Sequence, residues 1–212
     1  MIDEELLDYC EKYSSGEDQL LQFIRRQTHL KVLKPRMLSG PLQGKMLEIL
    51  VRLSGGKNVL EIGTFTGYAS IFLARGLAPS GRLTTIDINE ELEDMVRGIF
   101  IQSGLTDKID YRIGNALEVI PTLPESFDFV FIDADKRNYV NYFDLVVDKM
   151  SPGGLILADN ILWSGKVLEK NRKKLDKDTA AILAYNDKVQ NDHRVENVIL
   201  PIRDGIMLAR KL

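Results

Sequence analysis

The spacing of apolar positions changes partway along the chain. Residues 3–13, 17–30 and 42–53 place apolar side chains three or four apart, which predicts three amphipathic helices. Ser39-Gly40-Pro41 separates the last two. From residue 58 short apolar runs alternate with helical stretches. NVLEI (58–62) precedes a helix over 68–77, RLTTID (82–87) one over 90–103, and IDYRIG (109–114) a short one over 116–122. FDFVFID (127–133) leads into a helix over 137–149, and GLILAD (154–159) into a polar stretch and a helix over 178–191. VENVILP (195–201) and GIMLARK (205–211) are separated only by Ile202, Arg203 and Asp204, the spacing of a hairpin.

Strands apolar on both faces and alternating with helices predict an α/β fold, a doubly wound and mostly parallel seven-stranded sheet with helices on both faces. The closing hairpin requires at least one antiparallel strand. No repeat or low-complexity tract interrupts the 212 residues, which suit one domain with a single large core. The helices before Pro41 are expected to cover a pocket or a dimer partner.

Composition narrows the classes. The chain is 44% hydrophobic and 28% charged, as an ordinary soluble globular protein is. A net charge of −3 removes any global basic field for nucleic acid or anionic lipid. Cys10 is the only cysteine, so an intramolecular disulfide and a cysteine zinc cluster are excluded, and His29 and His193 are too few for a histidine-rich metal site. The first residues, MIDEELLDYCEKY, lack the basic and apolar regions of a signal peptide, and no apolar run approaches the roughly 20 residues of a membrane span. A cytoplasmic location is expected.

In doubly wound sheets ligands sit at the carboxyl ends of the strands. Every polar cluster of chemical interest falls there: Glu61 to Gly67, Asp87, Gly114 to Ala116, Asp133 to Lys136, and Asp159-Asn160. In EIGTFTGY (61–68), Gly63 and Gly67 permit a tight turn and close approach of a ligand to the backbone. Their G-x-x-x-G spacing is not the G-x-G-x-x-G of dinucleotide binders. Asp87, 24 residues after Gly63, can accept both ribose hydroxyls of a nucleoside. The same residue could instead cap the next helix, a role Asn89 is equally able to fill. Glu61 adds a third acidic position, and no lysine or arginine lies between 58 and 74. A pyrophosphate would lack cationic partners here, whereas a positively charged cofactor would be attracted. The pattern points to S-adenosylmethionine, a sulfonium carrying a nucleoside, over NAD.

The other half of the rim is acidic in a different way. FIDADKRNY (131–139) and LILADN (155–160) both end apolar strands in acid-rich tips. If these strands are neighbours, Asp133, Asp159 and Asn160 converge as a hard-oxygen set suited to Mg²⁺, Ca²⁺ or Mn²⁺. The alternative is that each acid caps its own loop or helix. A cation near Lys136 would disfavour its ammonium and make it a usable base, although a solvated lysine at a helix start is the plainer reading. Asp135 faces either a cofactor or only the helix N-terminus, where a carboxylate is favoured anyway.

With these motifs in order, the chain resembles the cation-dependent O-methyltransferases, the group of catechol and caffeoyl-CoA O-methyltransferases. The resemblance runs from about Met37 onward through MLSGPLQGKML, VLEIGTFTGYAS, TTIDINEE, GNALEVIP, FDFVFIDADKRNYVNYF, SPGGLILADNILWSG and LPIRDG. It implies a Rossmann-like methyltransferase fold and assigns Asp133, Asp159 and Asn160 to the cation and Lys136 to the general base. It also implies that Ser39, Glu61, Gly63, Thr64, Phe65, Asp87, Ala116 and Asp135 line the cofactor pocket. Ala69 stands where the family usually has a serine for the cofactor's methionine end, so either the following Ser70 substitutes or that hydrogen bond is absent. Ser164 replaces the substrate-contacting asparagine of the plant caffeoyl-CoA enzymes.

The implied reaction is methyl transfer to one of two adjacent hydroxyls, acidified by the cation and deprotonated by Lys136, on a small hydroxylated aromatic. Trp163 would supply an apolar wall or simply join the core. The stretch KVLEKNRKKLDK (166–177) carries six basic and two acidic residues and is either a solvated face or a positive lip for an anionic substrate, with tRNA as an alternative acceptor. The group is commonly dimeric. Two rival classes share parts of the pattern. An NAD-dependent oxidoreductase would leave Asp159-Asn160 unexplained, and a non-catalytic nucleoside-binding module would not need Lys136.

Overall fold

The computed structural model describes residues 4–123, 126–168 and 175–212. Seven strands form one sheet: β1 (Asn58–Ile62), β2 (Arg82–Asp87), β3 (Ile109–Ile113), β4 (Phe127–Ile132), β5 (Met150–Asp159), β6 (Val195–Leu200) and β7 (Ile206–Lys211). Their spatial order is β3-β2-β1-β4-β5-β7-β6. Pairings from β3 through to β5 are parallel, and β7 runs antiparallel to both β5 and β6. The helices are α1 (Glu4–Lys12), α2 (Gln19–Lys31), α3 (Pro41–Leu53), α4 (Tyr68–Gly76), α5 (Glu93–Ser103), α6 (Ala116–Val119), α7 (Tyr139–Val147) and α8 (Lys177–Gln190). The expected doubly wound sheet with a closing hairpin is therefore present.

Side-chain alternation along the central strands separates two apolar layers. Leu60, Ile62, Val130 and Ile132 face α7 and α8 through Phe143, Val146, Ile182 and Tyr185. Val59, Phe129 and Phe131 join the layer containing Leu47, Val51, Ile71, Phe72 and Val96 of α3, α4 and α5. Gly44 brings α3 close to α4, since a Cβ there would lie 2.3 Å from the Phe72 ring. Among the described residues no helix is long and apolar enough to cross a membrane.

Four elements depart most from the sequence reading. β5 starts at Met150 rather than 154, because a register shift between Phe127 and Phe129 and the left-handed Gly153 (φ +79°) absorb Pro152 as a bulge. The helix expected over 116–122 is α-helical only to Val119 and tightens to a 3-10 turn, Ile120–Thr122, around Pro121. Those over 90–103 and 137–149 open with 3-10 turns, Glu90–Leu92 and Lys136–Asn138.

Register decides what the fold presents. Ile62 pairs with Ile86 on one side and with Ile132 on the other, and Ile132 pairs with Ala158. Gly63, Asp87, Asp133 and Asp159 are the next residues of these four strands, so they leave the sheet at one level. Because β7 is antiparallel, with Ile206 opposite both Asp159 and Leu200, the loop joining β6 to β7 returns to that same rim.

Candidate active site

The first half of the rim is built on Gly63. Its N–H donates to the Ile86 carbonyl at 2.9 Å, and its φ of +103° is one that a side chain resists. A Cβ at Gly63 would lie 2.0 Å from the Asp133 carbonyl oxygen, so the tips of β1 and β4 are in backbone contact. Asp87 binds the turn that follows: one oxygen accepts from Phe65 N at 2.6 Å and the other from Asn89 N at 2.8 Å. Asn89 itself caps the 3-10 turn, accepting from Glu91 N at 3.0 Å, so the partly exposed Asp87 is not consumed as a helix cap.

Glu61 departs from expectation. The sequence reading places it on the pocket wall, whereas the structure buries it completely beneath the glycine turn. Its Oε2 accepts from Ser70 Oγ and, at 2.6 Å, from Thr85 Oγ1, while its buried Oε1 has no partner among the described residues. Burial, reinforced by repulsion from Asp133 and Asp87 and opposed by the two hydroxyls, pushes the carboxyl up to about 8. With Glu61 buried beneath the turn, the acidic side chains left at the rim itself are Asp87, Asp133 and Asp135. Thr64 also turns inward, its hydroxyl 2.6 Å from that of Thr85. Ser70 is fully buried and committed to Glu61, so it does not replace the missing hydroxyl at Ala69. Phe65 is half-buried at φ +50°, and the buried Ala116 opens α6 behind the Asn115 cap.

The second half gathers around Lys136. Its Nζ donates to Asp133 Oδ1 at 3.2 Å and to the Tyr139 hydroxyl at 2.5 Å. The fully buried Tyr139 hydroxyl lies 3.1 Å from the Asp159 carbonyl and 3.3 Å from that of Ile132, tying the tips of β4 and β5. Asp159 is buried, and its carboxyl titrates above the ordinary range because of that burial and the neighbouring Asp133. The Gln43 amide opposes the shift, donating to Asp159 Oδ2 at 2.9 Å. Asn160 takes the left-handed conformation (φ +62°) that asparagine tolerates, and its side-chain amide makes no hydrogen bond among the described residues. Asp135 faces away from this cluster in its bonding: Tyr142 Oη donates to it at 2.5 Å and Asn138 Nδ2 at 2.7 Å.

The loop between β6 and β7 completes the rim. Arg203 donates to the carbonyls of Ser39 and Leu38, the latter at 2.9 Å, and to Gln43 Oε1 at 3.1 Å. Asp204 Oδ1 accepts from Ser164 N at 2.6 Å, while the Asp204 and Gly205 carbonyls accept from Leu162 N and Ile161 N. These bonds hold the segment after Asn160, in which Trp163 and Ser164 also have positive φ. Trp163 is half-buried against the core cluster of α7 and α8. Of the basic stretch, Lys166 pairs with Asp176 at 3.1 Å, and residues 169–174 lie outside the described residues.

The rim thus brings Gly63, Phe65, Asp87, Asp133, Lys136, Asp159 and Asn160 together, with Ser39 joined through Arg203. Sequence reasoning missed Gln43, Tyr139, Tyr142, Arg203 and Asp204. The only signal was their inclusion in the quoted motifs, since their partners lie up to 165 positions away. The arrangement fits both expected groups. An open glycine backbone beside Asp87 suits a nucleoside, and two mutually repelling acids beside a free amide oxygen suit a divalent cation.

Comparison with known proteins agrees with this geometry. The sequence matches the O-methyltransferase family over residues 11–212. Caffeoyl-CoA O-methyltransferase 1 of Eucalyptus globulus is 38% identical over 179 residues, covering 80% of this chain and 73% of that protein. An O-methyltransferase from Bacillus cereus, solved in complex with SAH, superposes with a TM-score of 0.91 at 30% identity, covering 98% of this chain and 97% of that one. TomG from Streptomyces achromogenes, an O-methyltransferase involved in tomaymycin synthesis and solved with SAM, gives 0.90 at 28% identity, covering 100% and 99%. Fold and rim define a methyltransferase with a Rossmann-like sheet. The chain belongs to the O-methyltransferase family and is an S-adenosylmethionine-dependent enzyme.

Proposed function

We propose that this enzyme methylates one hydroxyl of a small aromatic carrying two adjacent hydroxyls, with a divalent cation held by Asp133, Asp159 and Asn160. The observation that carries the reading is the register of β1, β4 and β5, which sets Asp133 and Asp159 level with Gly63 and beside Lys136. Names of relatives such as caffeoyl-CoA O-methyltransferase support a hydroxylated small-molecule acceptor. The solved neighbours bound to SAM and SAH support this cofactor over NAD, and a pure binding module would have no use for Lys136.

When bound, S-adenosylmethionine supplies an electrophilic methyl group and the cation acidifies the acceptor hydroxyls. Asp87 takes the ribose hydroxyls on the lone pairs left beside its two backbone bonds. Asp133, Asp159 and Asn160 present three oxygens and leave room for those of the acceptor. In its neutral amine form Lys136 would take the acceptor's proton at the Nζ lone pair, turning from Asp133 to the hydroxyl while Tyr139 keeps the amine in place, and the oxygen so freed would accept the methyl group. Ser39, Phe65, Ala116 and Asp135 form the remainder of the cofactor wall. Much of the rate gain comes from alignment of the reacting atoms, an effect worth roughly 7–11 kcal/mol.

The test is transfer of labelled methyl from S-adenosylmethionine to a catechol panel and to bulk tRNA, with and without EDTA. EDTA-sensitive labelling of catechols is expected. Labelling that survives EDTA removes the cation, and labelling of tRNA alone replaces the acceptor.

A further inference from the structure

We propose that Gln43 and Arg203 are positioning residues that fix the carboxylate plane of Asp159, and that Arg203 joins this ion seat to the loop carrying Ser39. The inference rests on the cation reading above. Gln43 is fully buried in the first turn of α3 and reaches Asp159 across 116 positions. A guanidinium can only donate, so its bond to Gln43 at 3.1 Å identifies that atom as the amide oxygen. The amide nitrogen is then forced toward Asp159 Oδ2, at 2.9 Å. Asp159 Oδ1 is held from the other side by Asn160 N at 2.7 Å. Both oxygens are thus oriented while each keeps a lone pair for a cation.

Arg203 does more than orient the amide. Its remaining donors bind the Leu38 and Ser39 carbonyls, the residues that enter α3 beside the cofactor side of the rim. The Arg203 backbone has a φ of +51°, a conformation that an arginine adopts only at a cost, and Gly205 just after it permits the loop to press on Leu162. The two residues therefore differ in reach. Gln43 bonds Asp159 directly, whereas Arg203 reaches Asp159 only through Gln43 and also holds the Ser39 loop.

That difference makes the test. Binding of Mn²⁺ and of S-adenosylmethionine is measured separately by calorimetry on wild type, Gln43→Met and Arg203→Met, each checked for an intact thermal transition. Loss of a residue that orients a metal ligand typically weakens the ion about 10- to 100-fold. Gln43→Met is expected to lose Mn²⁺ affinity to that extent with S-adenosylmethionine affinity kept, and Arg203→Met to lose both. A merely structural role would lower the transition temperature and leave Mn²⁺ affinity unchanged, which overturns the proposal. Arg203 lies on the exposed hairpin, so Arg203→Met decides the matter even if the buried change prevents folding. Wild type that binds no Mn²⁺ would overturn the cation reading itself, and the positioning roles with it.

Discussion

The Lys136 Nζ lies 2.5 Å from the Tyr139 hydroxyl, and the same hydroxyl lies 3.1 Å from the Asp159 backbone carbonyl. A phenol with its proton directed at a carbonyl offers Lys136 a lone pair, so the lysine is steered by a residue that is itself fixed. Burial, and then the charge of Asp133, drives the Tyr139 phenol well above its ordinary range, so it stays neutral while it does this. Replacing Lys136 with methionine should cut turnover about 100- to 10,000-fold, the usual contribution of a positioned acid or base. Affinity for S-adenosylmethionine should barely change. Tyr139→Phe keeps the ring but loses the Lys136 anchor and the tie between the β4 and β5 tips, with an expected loss of about 1 kcal/mol, roughly fivefold in kcat. A pH–rate profile of Lys136→Met that matches wild type would remove the lysine as base.

Gly63 marks the closest approach of two strand tips. Alanine there meets both an unfavourable φ of +103° and the Asp133 carbonyl at 2.0 Å. Strain and overpacking together should destabilise the protein by about 2–5 kcal/mol. The urea midpoint reads this directly. Because the displaced carbonyl belongs to Asp133, cation affinity should fall in whatever fraction still folds.

Glu61 gives stability a pH dependence of known sign. Its native carboxyl titrates near 8 against an ordinary value near 4.5, so the folded state holds more protons between those limits. This contribution is complete below about 4.5 and is lost as pH rises through about 8. Wild type should lose stability progressively across that window, and Glu61→Gln should show a flatter profile. Urea titrations at several pH values check it; equal slopes in the two proteins would contradict the assignment.

Asp87 holds Phe65 N and Asn89 N with separate oxygens. Asp87→Asn keeps one acceptor and turns the other into a donor that opposes the backbone N–H. Hydrogen bonds to a charged group contribute about 1.5–3 kcal/mol, so S-adenosylmethionine affinity should fall roughly 10- to 100-fold in calorimetry. Cation binding, which depends on the far side of the rim, should be kept.

Period and punctuation in the sequence carried most of the fold. All seven strands lie where alternating apolar runs place them, and β1 and β2 match to the residue. The start of β5 was not legible because Pro152 and Gly153 read locally as a break, and only pairing with Phe127 turns them into a bulge. In the site, the level of Asp133 and Asp159 followed from strand adjacency alone. The inward turn of Glu61 did not, since strand alternation says which face a residue takes but not whether a helix covers it. Gln43 and Arg203 were invisible for a simpler reason. Each looks like an ordinary polar residue until the antiparallel β7 carries its loop back to the rim, 160 positions from Gln43.

That returning loop also sets a schedule for the nascent polypeptide. The backbone N–H groups of Ile161, Leu162 and Ser164 find their acceptors on Asp204 and Gly205. Until the residues between have been added, the turn beyond Asp159 lacks these acceptors. A chain stalled before the hairpin would carry both acid tips without the acceptors that hold the turn between Ile161 and Ser164.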